Sequence, residues 1–565
     1  MKKLFVVFFV LVSVLLSADR IEEFKEFQRD ISRQAGQFQG SALHEQIKAN
    51  RENREYVVGD TEIYWAWDLS VMPPLWIQTP ATCRAVGDHC YIFVADDQWN
   101  LHMDQTDIDI ILPYLEDYTM ISTEWGAIEM DETLFGPIPD ELDNDPKIIV
   151  YYSELGSFAG STFDGYFSAY NQVTEAQAQQ MNPPGHSNEC EMIYMTCYPL
   201  NPTDPIRISV LAHELEHMIH WLGDINEDTW VEEGCAELAM VYFGLPDPIV
   251  SFPTNPDNPL NVWNQEFADY VKVMLYFTYL EEQYDAVGDS LIKDIVSEPL
   301  NSISGITNQL IANGISQPFE DIFVDWTIAN FLDDPEVENG HYYYENLTLP
   351  NFHAVYTHSA YPAGNSGTIN GWATDYIRLH PGDGNLELSL TTNFPIGLGV
   401  MRLGVDGVTS TVDKFTINGI WTGVLPELTE DYSQMILSFA NNGYSSVSYT
   451  YSIVEVITSG ENILASNDIS ISCYPNPFYI GSNQISFSIN SSQILPEKIE
   501  IFNVKGQKVK SLECGESLAT TADGVCYSIS WDGKDENGRI IGNGVYFYKT
   551  KIGEKEFKNK FIIVR

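Results

Sequence analysis

DPIRISVLAHELEHMIHWLG (Asp204–Gly223) and, after a short gap, TWVEEGCAEL (Thr229–Leu238) are the two stretches on which the reading of this chain turns. Asp204 can cap a helix whose first residue is Pro205, where a missing N–H costs nothing, and Gly223 supplies the stop. On that helix His213 and His217 stand one turn apart on a single face, so both imidazoles can reach one ion. Glu214 lies about 100° further round, where its carboxylate can reach a water on the open side of that ion. The chemistry expected of such a set is hydrolysis. Zinc brings the water's pKa to about 7, and Glu214 takes its proton as it attacks a carbonyl.

A third ligand is needed. His220 shares the face of His213 and His217, but seven residues of rise separate it from His213 by about 10 Å. One ion with bonds near 2 Å cannot gather both. The pattern HExxHxxGxxH is also not met, because position 220 is His and position 223 is Gly. The better donor is Glu233, which lies far enough past His217 for a turn and an antiparallel helix. Glu237, one turn beyond Glu233, can accept a hydrogen bond from a ligand histidine and fix its tautomer. Glu232 reads as a solvated carboxylate in a first helical turn.

HELEH followed by WVEEGCAE resembles the gluzincin clan of zinc peptidases, with aminopeptidase N and thermolysin types as familiar members. The resemblance implies Glu233 as third ligand and Glu237 as the supporting carboxylate, although Glu232 stands where those families place Asn. The wider segment, from Ser187-Asn188-Glu189 through AHELEHMIHW to the EEG helix, looks closer to hyicolysin-like bacterial metallopeptidases. That likeness covers roughly residues 60–350 and is strongest at 187–245. Tyr270 opens a Tyr-Val-Lys segment similar to the YxKG element whose Tyr steadies the oxyanion, with Val273 in place of the Gly. His341 and His353 are the other candidates for that role. GAIEM (Gly126–Met130) matches the amino-terminus-binding GxMEN element only by chance, lacking its Asn and lying too far before His213. EMIYM (Glu191–Met195) is expected as an edge strand that pairs with an extended substrate. An endopeptidase is therefore favoured over an aminopeptidase.

Around this centre the chain of 565 residues is too long for one core. Lys2 and Lys3 precede an unbroken apolar run, Leu4–Leu16, and then the small residues Ser17 and Ala18, the layout of a secretory signal over 1–18. Residues 19–56 carry Ile21, Phe24, Phe27 and Ile31 at helical spacing, and read as a pro-segment or an N-terminal helix. Strand-like IYWAWDL, CYIFVAD, KIIVYYSEL and EMIYMTC precede a helical region that includes DYVKVMLYFTYLEEQ (Asp269–Gln283). These make a peptidase domain over 57–355, a mixed β-sheet subdomain joined to a helical one. The fold class expected is multidomain α+β, with two β-sandwich modules following at 356–460 and 465–565.

The balance of 29 Lys+Arg against 80 Asp+Glu gives −51, which repels nucleic acid and anionic lipid. Asp140, Glu141, Asp143, Asn144 and Asp145 form an oxygen-rich loop that suits structural Ca2+ or a plain turn. Cys83 and Cys90, Cys190 and Cys197, and Cys514 and Cys526 are locally paired, as short disulfide loops in an oxidising compartment would be. At the far end YPNPF (Tyr474–Phe478), IFNVKGQKV (Ile501–Val509), WDGKDENGR (Trp531–Arg539), GNGVYFYK (Gly542–Lys549) and KFIIVR follow in order. Physically they read as an immunoglobulin-like sandwich with hairpin turns. The ordered set resembles the type A sorting domain of the type IX secretion system, which implies that machinery as a partner and passage across an outer membrane to the cell surface or beyond. The expectation is thus a monomeric, exported zinc endopeptidase with no transmembrane segment in its mature chain. The alternatives are a surface adhesion protein on a degenerate peptidase scaffold, or a zinc aminopeptidase.

Overall fold

The computed structural model describes residues 23–39, 55–456 and 469–564, apart from 72, 141, 159–160, 286–289, 406, 475–477, 480–484, 492–497, 514–518, 522–523 and 553–554. The signal read at 1–18 and the junction between the modules at 356–460 and 465–565 lie outside the described residues. The chain is mixed α+β and divides into two compact units. One contains Met1–Gly382, Leu390–Trp421 and Leu428–Ile453; the other Asp383–Ser389, Thr422–Glu427 and Val454–Arg565.

The first unit begins, among described residues, with a helix over 23–36, here α1. Six strands follow: β1 Thr61–Asp68, β2 Leu75–Val86, β3 Cys90–Ala95, β4 Ile148–Ser153, β5 Gly165–Phe167 and β6 Met192–Thr196. They form one mixed sheet in the order β1-β2-β3-β4-β6-β5. CYIFVA, IIVYYS and MIYMT are buried along their whole length. That is why they sit side by side as parallel central strands, covered on both faces. EMIYM is accordingly not the substrate-pairing edge strand expected of it. Gly165–Phe167 pairs antiparallel outside it and takes the edge.

Between β3 and β4 run α2 (Gln105–Glu116), opened by a capping box of Asp104 and Asp107, and α3 (Ala127–Phe135). GAIEM is the start of α3, and its Glu129 points to solvent. Then come α4 (Pro205–Gly223), α5 (Thr229–Phe243) and α6 (Phe267–Tyr284). Pro205 opens α4 as expected, but the Asp204 side chain makes no capping bond. α5 lies so close to α6 that a Cβ on Gly234 would stand 2.2 Å from a ring carbon of Phe277. Gly234 is helical and carries no positive φ, so it is there for close approach rather than conformational freedom. Gly234→Ala should cost about 1–3 kcal/mol by overpacking. A thermal midpoint equal to wild type would show that the two helices can part freely.

Further on, helix Phe319–Leu332 lies against a five-stranded sheet of Thr411–Ile417, Ile396–Gly404, Tyr432–Asn441, Ala373–Leu379 and Tyr356–His358. Gly397 and Gly399 leave room there for Val324 and Ile328. In the second unit, residues 469–564 form a four-stranded and a five-stranded sheet. Phe478, Phe487, Ile501, Trp531, Tyr548 and Phe561 share one core between them. Asp535 accepts from the Asn537 and Arg539 N–H groups, which makes the Asp-Glu-Asn-Gly stretch of WDGKDENGR a turn.

Cys83, Cys90, Cys190, Cys197, Cys235 and Cys473 are thiols, none of them in a disulfide. The local disulfides expected of the first four are not formed. In the strand register Cys83 faces Phe93, while Cys90 faces Ile148 of the next strand. The third expected pair, Cys514 with Cys526, lies outside the residues whose side chains are described. Among the described residues no helix is long and apolar enough to cross a membrane.

Candidate metal centre

α4 presents His213, Glu214 and His217; α5 presents Glu233 and Glu237. The Nε2 atoms of His213 and His217 are 3.2 Å apart, and Glu233 Oε2 lies 3.5 Å from the first and 3.9 Å from the second. Four ligands with bonds near 2 Å, set at tetrahedral angles, stand about 3.3 Å from one another. The three atoms are therefore spaced as three corners of a zinc-sized tetrahedron, and two imidazoles with one carboxylate are donors that zinc accepts. All three side chains are largely or wholly buried. Glu237 Oε1 is 3.4 Å from His213 Nδ1, on the far side of the ring from Nε2.

Each charge here answers to burial and to its neighbours. Burial would raise the Glu233 carboxyl, but Lys25, His213, His217 and Arg29 around it hold it well below the usual carboxylate range. His213, desolvated yet close to the carboxylates of Glu233 and Glu237, is pushed up to about 10. His217 is driven well below its ordinary value, chiefly by burial. Burial raises Glu237 to about 7. Glu214 is also raised by burial, against the pull of His213, Lys25 and the Phe167 N–H, which donates to its Oε2 at 2.9 Å. A carboxylate made more basic in this way, fixed to strand β5, is suited to take a proton.

Glu214 and Tyr270 line the same cleft as the three donors. The Tyr270 hydroxyl accepts a hydrogen bond from Lys25 Nζ at 2.9 Å. His341 and His353 are elsewhere: the first bonds Asp325 and the second is exposed. His220 pairs with Glu216 at 2.9 Å, in a separate buried group with Cys235. Asp140, Asp143 and Glu191 make a third acidic group, while Glu141 of that loop lies outside the described residues. Asp145 is spent on turn N–H bonding and on the Tyr91 hydroxyl.

Sequence reasoning missed four participants, one of them Glu232, which is not the solvated carboxylate expected but lines the cleft with Oε1 3.6 Å from His217 Nδ1. Lys25 and Arg29 reach Glu233 from α1, with Arg29 Nη1 2.9 Å from Oε1 and Lys25 Nζ 4.0 Å from Oε2. Asp131 on α3 is wholly buried near Glu216 and His213, and desolvation pushes its carboxyl well above the usual carboxylate range. The one available signal was that Lys25 and Arg29 are spaced i,i+4 on a helix-like segment in a chain poor in cations.

No protein-family model matches the chain. Over 199 residues it is 28% identical to the neutral metalloprotease ShpI of Staphylococcus hyicus, a match covering 30% of this chain. The aligned part spans 43% of that protein's length. The relationship to a metalloprotease is thus a distant one. Among solved structures, PorZ, an essential bacterial surface component of the type-IX secretion system of Porphyromonas gingivalis, is 13% identical with a TM-score of 0.14. It covers 28% of this chain and 26% of its own. A DUF4785 family protein from Legionella pneumophila is 9% identical with a TM-score of 0.12, over 36% of this chain and 63% of its own. At those TM-scores neither structure bears on the fold.

Proposed function

We propose that this chain is an exported, zinc-dependent endopeptidase of gluzincin type. The observation that carries the reading is the spacing of His213 Nε2, His217 Nε2 and Glu233 Oε2 around a single ion-sized point, with Glu214 beside it. Zinc held there supplies Lewis-acid polarisation of a carbonyl and a nucleophilic water at neutral pH. Glu214 accepts the proton of the attacking water and passes it to the leaving amine. Glu237 fixes His213 through Nδ1, so that Nε2 faces the ion. Tyr270 donates to the oxyanion. The distant likeness to a neutral metalloprotease supports the same chemistry.

The ordered motifs of residues 469–565 support export by type IX machinery, in keeping with the signal-like start. The deciding experiment is hydrolysis of a denatured protein by the mature chain, before and after chelation, with zinc then returned at one equivalent. Activity should vanish with the chelator and return with the metal. Undiminished hydrolysis in chelator would sink the proposal, and absence of hydrolysis in zinc-loaded protein that binds immobilised ligands would favour the adhesion alternative.

A further inference from the structure

The helix α1 forms one wall of the cleft that the peptidase reading assigns to substrate. Phe24, Lys25, Gln28, Arg29 and Ser32 line that cleft on one side, and His213, Glu214, His217 and Glu233 line it on the other. α1 is seated by its apolar face. Phe24, Ile31 and Ala35 are buried, and the Phe24 ring meets Phe163 and Tyr166 edge-on, each at 5.5 Å between centroids. These two aromatics flank or belong to β5, the edge strand nearest Glu214. Phe27 stands edge-on to Trp67 at 5.7 Å. Further along, the Trp221 indole donates to the Ser32 carbonyl and the Gln39 amide to the Leu222 carbonyl, which fasten the helix to the end of α4.

Its cations are placed on groups that have chemistry to do. Arg29 Nη1 lies 2.9 Å from Glu233 Oε1, the oxygen turned away from the histidines. The oxygen facing them, Oε2, stays directed at the donor set. Arg29 therefore does not displace an ion from Glu233; it weakens that carboxylate as a donor and stands over the site. Lys25 Nζ donates to the Tyr270 hydroxyl at 2.9 Å and lies 4.5 Å from the centre of the Tyr270 ring. A substrate carbonyl and the Lys25 ammonium compete for that hydroxyl. A helix retained only for packing has no need to aim a Lys and an Arg, one turn apart, at these two residues. Charge-assisted bonds of this kind, shielded from water, are the strong ones.

We propose that residues 23–36 are a resident inhibitor: the helix walls off one side of the substrate cleft, and its Lys25 and Arg29 engage Tyr270 and Glu233 until the segment is cut away or displaced. The proposal rests on the peptidase reading for its consequence, and on the contacts of α1 for its mechanism. The ligand class it assigns to the cleft is an amphipathic peptide carrying two cations at i and i+4.

The test uses the full chain from residue 19, with one recognition site for a sequence-specific protease inserted after Gln39. Three quantities are read: hydrolysis before and after cutting, hydrolysis by uncut Lys25→Ala/Arg29→Ala, and rebinding of a fluorescent peptide of residues 19–39 to cut protein carrying Glu214→Gln. Cutting and removing the fragment should raise kcat/KM at least tenfold, and the double variant should reach a similar rate uncut. The peptide should rebind with a micromolar Kd, weakened tenfold or more when its own Lys25 and Arg29 are Ala. Equal rates for cut and uncut wild-type chain overturn the proposal and leave the peptidase reading standing. So does failure of the peptide to bind. If the peptide rebinds through its cations but no form hydrolyses protein, the contact holds and it is the peptidase reading that fails. The peptide arm does not depend on the double variant folding.

Discussion

Replacing Glu214 by Gln is expected to lower kcat by a factor of about 100 to 10,000, the contribution of a well-placed general base. Zinc content should stay at one per chain. The amide keeps the size of the side chain and an oxygen for the Phe167 N–H, so the link to β5 survives. What it loses is the site for the transferred proton. Stability should not fall either. Burial raises the Glu214 pKa above its ordinary value, so the folded state prefers the protonated form. That preference favours folding at pH below the unfolded value and is lost as pH rises through the folded one. At neutral pH a buried carboxylate is thus a burden that the neutral amide does not share. An active, zinc-loaded Glu214→Gln protein would falsify the assigned role of the base.

Glu233→Ala should act on the metal rather than on the chemistry. Loss of a supporting carboxylate behind a ligand histidine costs about 10–100-fold in affinity, and loss of a ligand itself should cost more than that. The neighbourhood makes the effect larger. Without the Glu233 charge, Lys25 and Arg29 of α1 lose the carboxylate that they share with His213 and His217, and a divalent cation must enter against two less compensated positive charges. Zinc retained through gel filtration should drop from one per chain to less than a tenth, with the α-helical circular dichroism unchanged. Retention of a full equivalent would move the third ligand elsewhere, to Glu237 or to the buried Glu216 group.

These two variants also mark what could be read in advance. His213, Glu214 and His217 come together through helix periodicity alone, and Glu233 and Glu237 join them because one short turn reverses the chain between α4 and α5. Both are local relations. The contacts of Arg29 with Glu233 and of Lys25 with Tyr270 cross 204 and 245 residues, and no spacing rule reaches that far. Strand order is non-local in the same way. EMIYM reads alike whether it lies at an edge or one place in, and only the three-residue strand Gly165–Phe167 beyond it decides. The cysteines erred for a related reason. Closeness along the chain says little once Cys83 and Cys90 belong to different strands, whose register turns each toward another residue. Gly234 was legible as part of the EEG segment, but its reason, the ring of Phe277 on α6, was not.

The brevity of that edge strand has a consequence for what could be cut. Three residues of extended chain measure about 10 Å, and the Phe167 N–H is already given to Glu214. A protein laid along Gly165–Phe167 would therefore be gripped over one short stretch, too little to hold a helix open or to peel a strand from its sheet. Susceptibility would then follow the target rather than the enzyme. Segments that open often under native conditions would be cleaved at a rate set by the free energy of their local unfolding, and tightly folded neighbours of the same composition would be spared.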